Sequence, residues 1–230
     1  MLLGVVAWFA RFLGNLDAST STDDLPVTIS FLAVATNLLL IGAFALQHSV
    51  MARPAFKKWW TQYIPPPVER STYVLFSNMA LLAIILFWQP AARAIWNASN
   101  PALRALIHVV NAGGLVLLFF AAISIDHFEL VGLRQVYYHW RSRPYESRSF
   151  KEPFLYRYVR HPVYLGWIIA IWCTPAMTIS RLLLAAGTTV YTLIAIPLEE
   201  RDLENSLPEY REYRERVPAL IPWKRPNGRL

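Results

Sequence analysis

Long uncharged stretches alternate along the chain with short charged ones. No formal charge falls between residues 25 and 52, most of which reads VTISFLAVATNLLLIGAFALQHSV. Further uncharged windows cover 71–92, 105–125, 162–180 and 182–198. A helix needs about 20 apolar residues to cross the hydrocarbon core, so these windows predict five full spans, the last slightly short. Between the fourth and fifth lies CTPAMTISR, whose Pro175, Thr178, Ser180 and Arg181 predict the tip of a helical hairpin. The opening MLLGVVAWFARFLGNL stops its apolar run at Arg11, too early for a span. No basic residue precedes it and no clear cleavage site follows, so it predicts a short hydrophobic or interfacial helix rather than a signal peptide. The expected fold is an all-α polytopic bundle, five full spans plus this short helix, ending in a cytoplasmic C-terminal helix.

The loops orient the bundle. Residues 51–70 carry Arg53, Lys57, Lys58 and Arg70 against Glu69, and residues 126–160 carry seven Lys/Arg against four acids. Before the first full span stand Asp17, Asp23 and Asp24 against Arg11. The positive-inside rule therefore puts 51–70, 126–160 and the tail from 199 on the cytoplasmic side, and all five windows alternate consistently. Composition agrees: 55% of residues are hydrophobic and only 16% charged, against about 25% charged in a soluble domain. The net charge of +7 then reads as membrane orientation, not nucleic-acid binding. A single cysteine, Cys173, excludes an internal disulfide and a Cys-rich metal site. No repeat or flexible linker divides the chain, so one membrane domain is expected over 1–230.

Soluble-enzyme signatures such as G-x-G-x-x-G, the P-loop, H-E-x-x-H and G-x-S-x-G are missing. Polar chemistry gathers instead at the predicted cytoplasmic ends of spans. In YRYVRHPVYLGW (156–167), Arg160 and His161 stand before Pro162, which suits the first turn of a helix. A cation, an imidazole and free helix-start N–H groups together suit a carboxylate or phosphate. A snorkelling Arg and an interfacial His that merely anchor the span are the alternative. Glu199 and Glu200 close the fifth window at a hydrocarbon boundary, where carboxylates are costly unless paired or bound. The hairpin should bring them beside Arg160 and His161, although a plain exit into water fits them too. In DHFELVGLRQVYYHW (126–140), helical spacing puts His127, Val131, Arg134 and Tyr138 on one face, and the Gln135 amide could orient a ligand. An amphipathic interfacial helix explains the same pattern. Gln47 and His48 end the first full window, and an intramembrane His is a functional candidate, or a core His bonded to a neighbouring helix. The tail PEYREYRERVPALIPW predicts a helix under the membrane core, with 217–223 docked on something apolar.

R-H-P-x-Y-x-G, then a hydrophobic hairpin, a Glu-Glu pair and Tyr-x-x-Tyr, together resemble the isoprenylcysteine carboxyl methyltransferase superfamily over about the last 75 residues. With QHSVMARPAFKKWW, VERSTYVLFS and HFELVGLRQVYYH added, the resemblance narrows to the bacterial methanethiol S-methyltransferases, from about residue 40 onward. This chain departs from them in its short first hydrophobic segment. The resemblance implies S-adenosylmethionine as cofactor, held by the part covering about 127–223, and methylation of the small thiol methanethiol to dimethyl sulfide. By position it implies cofactor contacts at Gln135, Tyr158, Arg160, His161, Tyr164, Gly166, Glu199 and Glu200. A thiol must lose its proton to attack well, and even a Cys thiol has a pKa of about 8.5. His48 and His127 are the candidate bases and Arg134 a stabilising field. The implied setting is a bacterial inner membrane with the site open to the cytoplasm. Rival expectations are carboxyl O-methylation of a prenylated or lipid substrate, a non-catalytic relative linked to nitrogen-oxide respiration, and a haem or quinone protein.

Overall fold

A computed structural model describes residues 30–89, 94–125, 127–145 and 152–223, so the short hydrophobic helix expected over 1–16 lies outside the described residues. The long elements are helices α1 (Phe31–Ala52), α3 (Glu69–Phe87), α4 (Pro101–Ser124) and α8 (Ile179–Ser206). Shorter ones are α2 (Pro54–Trp60), α5 (His127–Leu130), α6 (Leu133–Trp140), α7 (Pro162–Trp172) and α9 (Glu209–Arg216). Strands β1 (Ala94–Asn97) and β2 (Ala176–Thr178) pair antiparallel, with Trp96 opposite Met177. The all-α polytopic class holds.

Among the described residues, α1, α3 with the 3-10 turn before it, α4 and α8 are long and apolar enough to cross a membrane. The expected fourth span, over 162–180, is shorter: α7 has 11 residues, about 16 Å of rise, and β2 follows it. Thr174 precedes Pro175, and a residue before proline is pushed out of the helical region. Apolar composition continued past the point where the backbone could continue as helix.

The chain divides into two compact units. The first comprises Met1–Gly42, Ala83–Phe119 and Val163–Thr192. Its described residues carry charge only at Arg104 and Arg181. Its core packs Ile41, Ile171, Leu184 and Ala185 with Trp88, Leu115 and Trp167. Two buried asparagines satisfy backbone groups that a chain break would orphan. Asn37 donates to the Gln89 carbonyl at 2.8 Å and accepts from the Gln89 N–H at 2.9 Å, where α3 has ended. Asn111 donates to the Ala170 carbonyl at 2.6 Å, near the end of α7.

Helices α4 and α7 touch backbone to backbone in this unit. A β-carbon at Gly166 would stand 2.6 Å from the Leu118 nitrogen and 2.7 Å from the Gly114 oxygen. Neither neighbour is a side chain that could swing away. Gly166→Ala is therefore expected to destabilise the protein by about 1–3 kcal/mol, the usual cost of overpacking, seen as a lower melting temperature in detergent. Gly42→Ala, with open space around the added carbon, is the control that should not move it.

The second unit comprises Ala43–Leu82, Phe120–Pro162 and Leu193–Leu230, and holds every other described charge. Arg53, just past α1, meets Asp202 of α8 at 2.9 Å, which levels the ends of those two helices. The expected single helix over 126–140 is broken in two at Gly132, whose φ of +79° is the left-handed conformation that glycine adopts freely. A β-carbon there would stand 2.6 Å from the Ser71 Oγ, so the break is also a close contact with α3. The continuous face drawn through His127, Val131, Arg134 and Tyr138 is accordingly interrupted. Beneath α8, Tyr210, Tyr213 and Val217 form a second core with Leu203 and Leu207.

Candidate active site

Glu200 is the hub of the second unit. Its side chain is 4% exposed, and it gathers two guanidiniums and an imidazole. Arg160 donates from Nε to its Oε1 at 2.7 Å, His161 Nε2 lies 3.0 Å from the same oxygen, and Arg214 Nε stands 3.1 Å from Oε2. Such a group keeps its charge out of water only because each of its oxygens has a partner. The expected juxtaposition of the turn before α7 with the end of α8 is thus present. Its form differs from an open cradle, because the two turns bind each other.

The tail completes the hub. Arg160 Nη1 donates to the Arg214 carbonyl at 2.9 Å and also to the Val217 carbonyl. The backbone N–H groups of Arg160 and His161 donate to the carbonyls of Pro218 and Ala219 at 2.9 and 3.0 Å. The two N–H groups expected to meet an anion are therefore satisfied by the chain itself. The docking expected of 217–223 occurs through these carbonyls and buried Val217, while Ile221 and Trp223 stay exposed. Tyr213 seals the arrangement by donating to the Tyr156 carbonyl at 2.7 Å. Burial, and then Glu199, pushes the Tyr156 phenol up from its ordinary pKa. Burial, and then Glu200, does the same to Tyr210, so both phenols stay protonated donors beside carboxylates at neutral pH.

A second polar cluster joins α1 to α3. The Tyr73 hydroxyl lies 2.8 Å from His48 Nε2 and 3.0 Å from Nδ1, and the Ser77 Oγ lies 3.1 Å from Nδ1. Phe44 stacks on the imidazole with centroids 5.3 Å apart. Gln47 donates to the Met51 sulfur at 3.2 Å and to Ser77 Oγ at 3.4 Å, while its own Oε1 is buried without a partner. Sequence reasoning found Gln47 and His48 but missed Tyr73 and Ser77, four residues apart on one face of α3. That spacing was the available signal.

The third group sits around α5 and α6. Tyr145 donates to Glu129 Oε1 at 2.7 Å, and Arg134 reaches Glu129 Oε2 at 3.8 Å. Gln135 Nε2 lies 3.4 Å from the Glu129 carbonyl and from the Tyr145 hydroxyl, and its Oε1 is buried with no partner. Phe128, Leu133, Arg134, Tyr137 and Tyr138 line a largely apolar hollow of about 450 Å³. Among the remaining expected residues, Tyr158 is exposed, while Tyr164 is half-buried and belongs to the first unit. Gly166 is filled by α4 backbone, and the His127 side chain lies outside the described residues.

Residues 37–220 match the family described as NnrU protein. Methanethiol S-methyltransferase 1 of Bradyrhizobium diazoefficiens is 50% identical over 194 residues, 84% of this chain and 68% of its own. Methanethiol S-methyltransferase of Mycobacterium tuberculosis is 45% identical over 92% of this chain and 87% of its own. The protein of that name from Crocosphaera subtropica is 45% identical over 97% of this chain and 91% of its own. No solved structure matches the chain.

Proposed function

The chain belongs to the NnrU protein family, and on that premise we propose that it is an S-adenosylmethionine-dependent methyltransferase making dimethyl sulfide from methanethiol. The observation that carries the reading is its 45–50% identity, over most of its length, with proteins named for that reaction.

The chain's own chemistry fits the donor. When bound, S-adenosylmethionine supplies an electrophilic methyl group on a sulfonium. Its ammonium and ribose hydroxyls are hydrogen-bond donors of the kind that buried Gln135 Oε1 lacks. Glu199 offers a carboxylate to the same cationic ligand, and Arg214, with 44% of its side chain exposed, a cation to its carboxylate. Arg160 and His161 pair with Glu200, and Arg160 also holds the Arg214 and Val217 carbonyls, so their part in the cofactor site is to hold the turn before α7 rigid. Exposed Tyr158 stays in the set that the resemblance implies for the cofactor, whereas Gly166, filled by α4 backbone, drops out of it. His48 and His127 take the thiol proton, and Arg134, already leaning on Glu129, contributes a weak field.

The cofactor-binding part covers about 127–223 of a single domain lying in a bacterial inner membrane. Concentration of the described charges in the second unit supports a cytoplasmic site, where a cytosolic donor reaches it. Methanethiol is small and apolar and arrives through the bilayer.

Detergent-purified protein is expected to bind S-adenosylmethionine and to be competed by the demethylated product in calorimetry. It should release dimethyl sulfide from methanethiol and leave a prenylated cysteine peptide unmodified. Methylation of the peptide but not the thiol would transfer the reading to carboxyl chemistry, and absence of donor binding would end it.

A further inference from the structure

Hydrogen counting in the α1–α3 cluster decides which way its protons run. The Ser77 hydroxyl has one proton, and it goes to the Tyr73 carbonyl at 2.9 Å. Ser77 Oγ can then only accept from His48 Nδ1, 3.1 Å away, and from Gln47 Nε2. A neutral His48 therefore carries its proton on Nδ1 and presents a lone pair at Nε2. The Tyr73 hydroxyl lies 2.8 Å from Nε2 and 3.0 Å from Nδ1, so the proton it donates to the ring goes to Nε2, the nitrogen that carries none. The imidazole thus reaches a substrate proton through the phenol. Beside the phenol's helix partner, Gln47 Oε1 is a buried acceptor without a donor. All four residues lie in the same compact unit as the Glu200 hub.

We propose that Tyr73 is a catalytic residue for the thiol, relaying its proton to His48, that Ser77 positions the imidazole, and that Gln47 Oε1 is the acceptor on which the S–H first docks. This rests on the thiol methyltransferase reading and names the residues that meet the thiol in it. The S–H bond breaks as its proton moves to Tyr73 Oη and the Tyr73 proton moves to His48 Nε2. Tyr73 ends as a neutral phenol, His48 as an imidazolium and the substrate as a thiolate. The sulfur lone pair then forms the new S–C bond, and the electrons of the broken C–S bond return to the donor's sulfonium sulfur, leaving a neutral thioether. After product release the imidazolium gives its proton to water. An imidazolium beside a forming thiolate is favourable because opposite charges attract most strongly where water is excluded.

The test compares two small thiols with Tyr73→Phe, which removes only the hydroxyl. Methanethiol is a weak acid, whereas 2,2,2-trifluoroethanethiol is acidified by its fluorines and ionises with little help. Turnover of methanethiol is expected to fall about 100-fold, the lower end for lost acid–base catalysis, and that of trifluoroethanethiol less than about fivefold. S-adenosylmethionine binding by calorimetry should be unchanged. Equal losses with the two thiols, or none with methanethiol, would overturn the relay. Should Tyr73→Phe not yield folded, donor-binding protein, Ser77→Ala decides by the same ratio, with about a tenfold loss expected on methanethiol alone. Wild-type protein anchors the comparison: if it makes no dimethyl sulfide the functional reading fails, whereas an active wild type with an unchanged ratio defeats only the relay.

Discussion

Glu200→Ala is expected to leave little folded, donor-binding protein. The substitution removes the partner of a guanidinium whose side chain is only 4% exposed and strands the His161 ring, itself buried, without its acceptor. Deleting one member of a buried ionic group costs about 3–5 kcal/mol, mostly the desolvation of the charge left behind. Stability of a domain is on the order of 5–15 kcal/mol, so one substitution takes a large share of it. The loss also spreads along the chain. Arg160 holds the carbonyls of Arg214 and Val217, so a displaced guanidinium frees the tail that caps the site. Thermal unfolding in detergent measures the first effect and donor calorimetry the second. Glu152→Ala serves as the contrast. It removes one of two partners of Arg216, whose side chain is 48% exposed, and a pair of that kind contributes about 0–1 kcal/mol.

Replacing His48 and His127 together by asparagine should abolish methyl transfer to methanethiol in practice, with a loss of about 100- to 10,000-fold, the range for general acid–base catalysis. His48 carries the larger share in the present account. Its ring is fixed from both sides by Tyr73 and Ser77 and stacked by Phe44, so its Nε2 lone pair has a defined direction. His48→Asn alone is accordingly expected to fall within a few-fold of the double variant. Initial rates of dimethyl sulfide release, normalised to donor-binding protein, make the comparison. Wild-type rates in the double variant would remove both histidines from the chemistry.

How much of this was legible beforehand varies with the kind of interaction. Uncharged windows located α1, α3, α4 and α8, because apolar length is a property of composition that any reader of the chain can count. The same counting overshot at 162–180, where Thr174 and Pro175 end α7 after 11 residues through backbone sterics. Gly132 likewise interrupts a run whose side chains still read as one amphipathic helix. The pairing of Arg160 and His161 with Glu200 could be expected, since opposite charges stood at the two feet of one hairpin. The roles of Arg214, Pro218 and Ala219 could not, because three of those contacts use carbonyls that every residue possesses. Tyr73 and Ser77 were passed over for a related reason. In an apolar helix a hydroxyl reads as tolerated until a neighbouring helix supplies the imidazole it meets.

The most direct measurement follows the methyl group itself. Detergent-purified protein is given methanethiol and S-adenosylmethionine whose transferable methyl is deuterated, and the headspace is read by mass spectrometry. Thiol methylation by this protein predicts dimethyl sulfide carrying one deuterated methyl, formed by the wild type and lost with Glu200→Ala. Folded protein that binds the donor yet releases no labelled dimethyl sulfide would contradict it.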